Sequence, residues 1–168
     1  MQAYRPLHQH LYAFCRALCG NEADAADLLQ DTALNTMQNM HRLKDPGAFR
    51  AFVFSIARNL YKMKMRRKKF KVEYSPKEAE SITGSTNDPE LLTDFSIVYE
   101  TMQKLPQRTA EALILFHISD VSLKDIQKIQ GGSLSGVKLR LKRGREKLMT
   151  LLSTPEHSKI LVLFSITF

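Results

Sequence analysis

The chain has 168 residues, with 25 Lys and Arg against 17 Asp and Glu, which gives a formal net charge of +8. Its 43% hydrophobic residues are enough for a buried core, and only 7 Gly and 6 Pro exclude collagen-like and low-complexity proteins. No apolar run reaches the roughly 18 residues of a membrane span, and the N-terminus does not have the pattern of a secretory signal. Two cysteines are too few to crosslink a secreted scaffold, so we expect a cytoplasmic protein.

Helical periodicity begins near the N-terminus. Apolar residues recur every three or four positions from Leu7 to Leu18, which predicts a first helix that stops at Gly20. Asn21, with Asp24 three residues later, predicts the N-cap of a second helix. The residues that we assign to the buried face of this second helix are Ala25, Leu28, Leu29, Ala33, Leu34 and Met37.

A third helix is predicted to begin at Asp45-Pro46, because Asp supplies an N-cap acceptor and Pro fits the first helical position. It continues into residues 62–71, where seven of ten residues are Lys or Arg and none is acidic. Like charges on neighbouring turns repel each other unless an anion neutralises them. Nucleic acid is the first candidate for that anion, an anionic membrane surface is the second, and a solvated charged face is the plain alternative.

An acidic segment separates two basic ones. Residues 1–72 carry a net charge of +8, residues 73–100 carry −6 and residues 101–168 carry +6. The segment 73–87 is rich in Ser, Thr, Pro and Gly and has no apolar periodicity, which predicts a flexible linker. Its acidity either serves solubility or keeps two basic modules away from random nucleic acid.

The second half is also predicted to be helical. Asp88-Pro89 repeats the start signal, and a helix near 107–118 follows. Residues 122–148 then predict a short helix, a Gly131-Gly132 turn and a long basic helix, which together form a helix-turn-helix. We therefore expect an all-α protein of two small helical domains joined by an acidic linker. The predicted boundaries are 1–72 for the first domain, 73–87 for the linker, 88–153 for the helix-turn-helix domain and 154–168 for an apolar tail.

Three motifs carry a family resemblance. Residues 27–32, DLLQDT, resemble D-L-V-Q-E-T, and residues 49–60, FRAFVFSIARNL, resemble F-R-A-W-L-Y-x-I-A-R-N-L. Residues 105–108, LPQR, resemble the family's L-P-x-x-x-R. The run 122–148 resembles the family's S-x-x-E-I-A … V-K-x-R-L-x-R-A-R-x-x-L. In this order they resemble regions 2 and 4 of bacterial sigma-70 factors, in the extracytoplasmic-function (ECF) group.

The resemblance implies a promoter-specificity subunit. The implied partners are RNA polymerase core, through the clamp helices of its largest subunit and its flap region, promoter DNA and an anti-sigma factor, without membrane insertion. The residues implied to bind the polymerase are Asp27, Gln30, Asp31 and Asn35.

The same resemblance implies two DNA sites. The first would hold the −10 element as a single strand through Lys44, Arg50, Phe54, Arg58, Asn59, Lys62, Arg66 and Arg67. The second would hold the −35 element as a duplex through Ser133, Ser135, Lys138, Leu139, Arg140, Lys142 and Arg143. Departures from the family pattern occur at Met37, Met63-Lys64, Gln127 and Gly144, the last at a cost of roughly 1 kcal/mol in a helix interior.

No catalytic constellation is present in the sequence, and we expect neither a cofactor nor a metal. Cys15 and Cys19, one helical turn apart, are better explained as small core residues than as metal ligands. Two other functions stay open: a sigma-like decoy that sequesters an anti-sigma factor, and a stand-alone helix-turn-helix regulator. The cations at 62–71 and 138–147 argue against the decoy, and the motif at 27–32 argues against the regulator.

Overall fold

The computed structural model describes residues 5–74 and 94–152. All regular structure in these two ranges is helical, which confirms the all-α prediction. The helices are α1 (Arg5–Cys19), α2 (Glu22–Asn39), α3 (Phe49–Tyr74), α4 (Asp94–Gln103), α5 (Gln107–Leu113), α6 (Leu123–Gln130) and α7 (Leu134–Leu151). None of these helices has an apolar stretch long enough to cross a bilayer. The start signal at 88–89, most of the predicted linker and the tail 154–168 lie outside the described residues.

The N-caps predicted at Asn21 and Asp45 are present, although a 3₁₀ turn and not α3 itself follows Asp45. The side-chain oxygen of Asn21 accepts from the backbone N–H of Asp24 at 2.8 Å, and its amide donates to the Asp24 carboxylate at 3.0 Å. The hydrogen bond from Asn21, with a further one from Lys68, lowers the pKa of Asp24. Asp45 accepts from the N–H of Gly47 at 2.8 Å, and a 3₁₀ turn over Pro46–Ala48 leads into α3.

Helices α1, α2 and α3 pack around one apolar core. Phe14 and Phe54 are fully buried and meet edge to face, with ring centroids 5.2 Å apart and an interplanar angle of 72°. Leu11 and Leu28 are also fully buried. Cys15 joins them, as predicted, and burial raises the pKa of its thiol to about 12, so it behaves as an apolar side chain.

One part of the predicted core is wrong. Leu34 and Met37 lie on the outside of α2, with 55% and 63% of their surface exposed. The inner face is instead completed by Thr32 and Thr36, whose hydroxyls donate to backbone carbonyls four residues earlier. The reason is helical geometry, because Leu34 follows the buried Ala25 by two and a half turns at 3.6 residues per turn and so points the opposite way.

The second half contains the predicted helix-turn-helix. Ser122 and Ser133 cap α6 and α7, since each hydroxyl accepts from a backbone N–H three residues later at 3.1 Å. The turn between them uses positive φ at Gly131 and Gly132, a conformation that glycine adopts without strain. Buried side chains join the two helices and α5; they are Leu113, Ile126, Ile129, Val137, Leu141 and Leu148.

The two halves pack against each other, whereas the sequence predicts two modules held apart by an acidic tether. Helix α3 contacts α6, and α1 contacts both α4 and the π-helical segment Ile114–Ile118 that extends α5. At the end of α1, Gly20 has φ +77, and a Cβ there would clash with the ring of Tyr99. The halves are therefore in direct van der Waals contact in this structure, and the predicted domain boundaries stay a prediction.

A second close approach brings α5 and α7 together at Gly144, a buried position where the family pattern has Ala. A Cβ at Gly144 would lie 2.6 Å from Thr109 Cγ2 and 2.9 Å from Leu113 Cδ1. The missing side chain lets the helix-turn-helix sit directly on α5, which offsets the low helix propensity of glycine.

Gly144→Ala is expected to lower the free energy of unfolding by about 1–3 kcal/mol, because overpacking outweighs the gain in helix propensity. Urea denaturation of the full chain measures the change. The double variant Gly144→Ala/Thr109→Ser removes one of the clashing methyl groups and should recover part of the loss. A stabilised single variant would contradict the close packing of α5 and α7.

A second prediction concerns His117 in the π-helical segment. Burial, with the nearby Arg145 cation, lowers its pKa from 6.5 to about 4. Because the unfolded chain then binds the proton more tightly, stability should fall as the pH drops from about 6.5 toward 4. Between pH 7 and pH 5 we expect a loss of about 1–2 kcal/mol from this group. His117→Gln should flatten the profile measured by urea denaturation, and an unchanged slope would contradict the assignment.

Candidate polymerase and nucleic-acid interfaces

The residues predicted to bind the polymerase share the outer face of α2. Asp27, Gln30 and Asp31 are exposed, since positions three and four apart lie on one side of a helix. Asn35 is half-buried, and its amide donates to the backbone carbonyl of Asp31 at 2.9 Å. Lys64 Nζ lies 4.0 Å from the Asp31 carboxylate, a loose pair that leaves the acid half exposed.

Sequence reasoning missed an apolar part of the same face. Leu34 and Met37 continue the exposed side of α2 beyond Asp31, and Met40 is 46% exposed just after the helix. Exposed apolar side chains next to a few carboxylates are typical of a surface that packs against a partner helix. The signal was present in the sequence, because a helical wheel centred on Ala25 places Leu34 on the outside. We call Asp27, Gln30, Asp31, Leu34 and Met37 the α2 face.

The C-terminal part of α3 presents the predicted basic surface. Asn59, Arg66 and Arg67 are exposed and Lys62 is half-buried, while Lys44 is exposed in the loop before α3. Lys68 differs because its ammonium lies 3.0 Å from the Asp24 carboxylate and so helps to hold α3 on α2. The arginines that point to solvent here can bind phosphate groups without rearrangement.

The middle of α3 is placed differently from the prediction. Phe54 is fully buried against Phe14, so it belongs to the core, while its neighbour Phe52 is half-buried. Arg58 is buried and its Nε lies 2.6 Å from Glu111 Oε2. At the start of α3, the Arg50 guanidinium donates to the backbone carbonyl of Ser119 at 2.7 Å. Three residues predicted for the −10 site, Arg50, Phe54 and Arg58, are thus held within the protein in this structure.

The outer face of α7 presents most of the residues predicted for the −35 site. The exposed members are Ser133, Ser135, Lys138, Leu139, Lys142 and Arg143. Arg140 is half-buried and donates to the Gln130 side chain at 2.5 Å. Partial burial, with the nearby cations of Arg108 and Arg58, lowers the pKa of Arg140. The hydroxyl of Ser133 is engaged as the N-cap of α7. An exposed basic face on the second helix of a helix-turn-helix is the arrangement that enters a major groove.

Known proteins share both halves of this arrangement. Residues 3–71 match the Sigma-70 region 2 family, and residues 95–148 match the Sigma-70 region 4 family. The ECF RNA polymerase sigma factor EcfG of Rhodopseudomonas palustris is 32% identical over 142 residues, which cover 84% of this chain and 78% of that protein. This chain belongs to the ECF sigma factors. Its function is accordingly promoter-specific initiation of transcription with RNA polymerase.

More distant relatives agree with this assignment. The ECF sigma factor SigE of Mycolicibacterium smegmatis is 28% identical over 85% of this chain, which spans 57% of that protein. The ECF sigma factor SigW of Bacillus subtilis is 25% identical over 82% of this chain and 80% of its own length. Among solved structures, the sigma factor RpoE of Bartonella quintana, crystallised with the anti-sigma factor NepR, has the same fold. Its TM-score is 0.73 at 24% identity, with 92% of this chain and 96% of that chain covered.

The other candidate side-chain clusters in the described ranges do not have the features of a metal-binding or catalytic site. No three His, Cys, Asp or Glu side chains of residues 5–74 and 94–152 come together as metal ligands would. Cys19 is half-buried, and burial with the nearby Asp24 carboxylate raises the pKa of its thiol to about 11. A thiol of that kind is a poor nucleophile and a poor metal ligand at neutral pH.

Arg66→Gln and Arg67→Gln are each expected to weaken binding of single-stranded DNA and to reduce its salt dependence. Removal of one cation that binds a phosphate group should lower the slope of log K against log salt by about 0.7. Fluorescence anisotropy with a labelled mixed-sequence strand measures both quantities. Lys104→Gln removes the same charge from an exposed position between α4 and α5 and should leave the slope unchanged. Equal slopes in all three variants would contradict the assignment of the basic surface.

Proposed function

We propose that the chain binds RNA polymerase core through the α2 face and contacts promoter DNA through two separate basic surfaces. The C-terminal part of α3 would hold the −10 element as a single strand, and the outer face of α7 would hold the −35 element as a duplex. Two weak contacts presented on one polymerase reinforce each other through a high effective concentration. In this role the chain carries out no reaction step of its own and works in the cytoplasm beside the core enzyme.

One observation supports this proposal above the others. Exposed cations occur on α3 at Arg66 and Arg67 and on α7 at Lys138, Lys142 and Arg143, whereas α2 exposes carboxylates and apolar side chains instead. A decoy for an anti-sigma factor needs only a protein-binding surface. A stand-alone regulator needs only the helix-turn-helix. The three surfaces together match a protein that joins a polymerase to two promoter elements.

An anti-sigma factor is also proposed as a partner. The support comes from the fold, because the Bartonella sigma factor that shares it was crystallised with such a protein. The α2 face is the first candidate for its docking site, since a regulator that covers this face would also keep the polymerase away.

Reconstitution with core polymerase tests the proposal. The full chain, core enzyme and a library of promoter fragments should produce promoter-dependent transcripts that are absent when either protein is omitted. Transcripts from no promoter, together with tight binding to an anti-sigma factor, would support the decoy instead. Specific DNA binding that does not require the polymerase would support the stand-alone regulator.

Leu34→Ser/Met37→Ser tests the α2 face within the same assay. Because both side chains are exposed, the variant should fold normally and bind core polymerase about tenfold more weakly. Pull-down or biolayer interferometry with immobilised core enzyme measures the affinity. Met63→Ser is the matched control, since Met63 is 47% exposed on α3, a helix that the proposal assigns to DNA and not to the polymerase. Equal affinities of the double variant and the unchanged chain would remove α2 from the polymerase interface.

A further inference from the structure

Two arginines predicted for the −10 site are bound by the other half of the chain. Arg58 and Glu111 form an ion pair of 2.6 Å whose side chains are 10% and 1% exposed. Arg50 donates to the backbone carbonyl of Ser119 at 2.7 Å, across 69 residues of sequence. Both contacts join α3 to the segment that runs from α5 to α6. While they persist, neither guanidinium is available to a phosphate group.

The polar contacts continue from Glu111 to the last helix. The Gln130 amide lies 3.5 Å from the same Glu111 oxygen that binds Arg58 and donates to the backbone carbonyl of Arg108 at 3.0 Å. The other end of the Gln130 side chain accepts from Arg140 at 2.5 Å. Arg140 is one of the residues predicted for the −35 site. Glu111 and Gln130 therefore connect an arginine of each predicted DNA site.

An apolar contact supports the same closed arrangement independently. The ring of Tyr99 on α4 lies directly over Gly20 at the end of α1, where no side chain larger than hydrogen would fit. Burial raises the pKa of the Tyr99 phenol, which agrees with a ring that is packed between the halves. Both sides of all these contacts belong to this chain, so the closed arrangement needs no partner protein.

We propose that the Arg58–Glu111 pair holds the free chain in an autoinhibited state in which Arg50 and Arg58 are withheld from DNA. Phosphate groups and the Glu111 carboxylate compete for the same buried guanidinium, so a promoter strand reaches Arg58 only after α3 separates from α5. The polymerase would favour the open state by binding the α2 face and the helix-turn-helix at separate places. This inference rests on the −10 role given under the proposed function.

Glu111→Gln and Tyr99→Ala test the inference on the full chain. Glu111→Gln keeps the shape of the side chain and removes the charge that holds Arg58, while Tyr99→Ala loosens the halves at a different place. Small-angle X-ray scattering of the free protein measures compactness, and anisotropy with a labelled single strand measures DNA affinity. We expect both variants to have a larger radius of gyration than the unchanged chain. Both should bind the strand more tightly by a factor of about five or more, because opening of the halves and binding of DNA are coupled equilibria.

Glu100→Gln is the matched control. It removes one negative charge from an exposed position beside Tyr99, so it reports the general effect of charge on DNA affinity. The inference is supported if Glu111→Gln exceeds this control in both measurements. It is overturned if the unchanged chain is already extended, or if Glu111→Gln stays compact and gains no more affinity than Glu100→Gln.

Two further outcomes are decisive. If Glu111→Gln fails to fold, as judged by circular dichroism, Tyr99→Ala alone decides whether opening increases DNA affinity. If the variants open without a gain in affinity, the autoinhibitory role is overturned while the polymerase assay of the proposed function is unaffected. Compactness and transcription therefore separate a failure of this inference from a failure of the proposed function.

Discussion

The buried Arg58–Glu111 ion pair joins the two halves of this sigma factor, together with the Arg50–Ser119 hydrogen bond and the packing of Tyr99 on Gly20. The attraction between Arg58 and Glu111 is strong in a medium of low dielectric constant, yet both groups lose their hydration when the halves meet. Glu111 Oε1 has no hydrogen-bonding partner in the described parts of the chain, so the lost hydration is only partly replaced. Such a pair stabilises the closed arrangement modestly, whereas removal of one partner costs about 3–5 kcal/mol.

That balance suits the reversible contact that we propose. When the halves separate, both charged groups return to water, and the loss of their attraction is offset by hydration. An apolar interface of equal area would resist opening more strongly, because separation would expose it to water. The buried apolar side chains of both halves also form one core, whose exposure to water opposes separation.

The closed arrangement leaves three surfaces accessible. The α2 face, the exposed arginines near the end of α3 and the outer side of α7 all point away from the junction. The middle of α3 is occupied, and Gln130 holds Arg140 on the inner side of the helix-turn-helix. Gly144 lets α7 approach α5 closely, and Gln130 on α6 contacts both Glu111 on α5 and Arg140 on α7.

The sequence by itself determined the local features and the family. The caps at Asn21, Ser122 and Ser133 and the order of the helices depend on neighbouring residues alone, so they were predictable. The tertiary structure decided what is buried between distant parts of the chain. Neither the pairing of Arg58 with Glu111, across 53 residues, nor the burial of Phe54 has a local signal, because burial depends on which surfaces meet. Leu34 is different, because the helical wheel of α2 already places it on the outside.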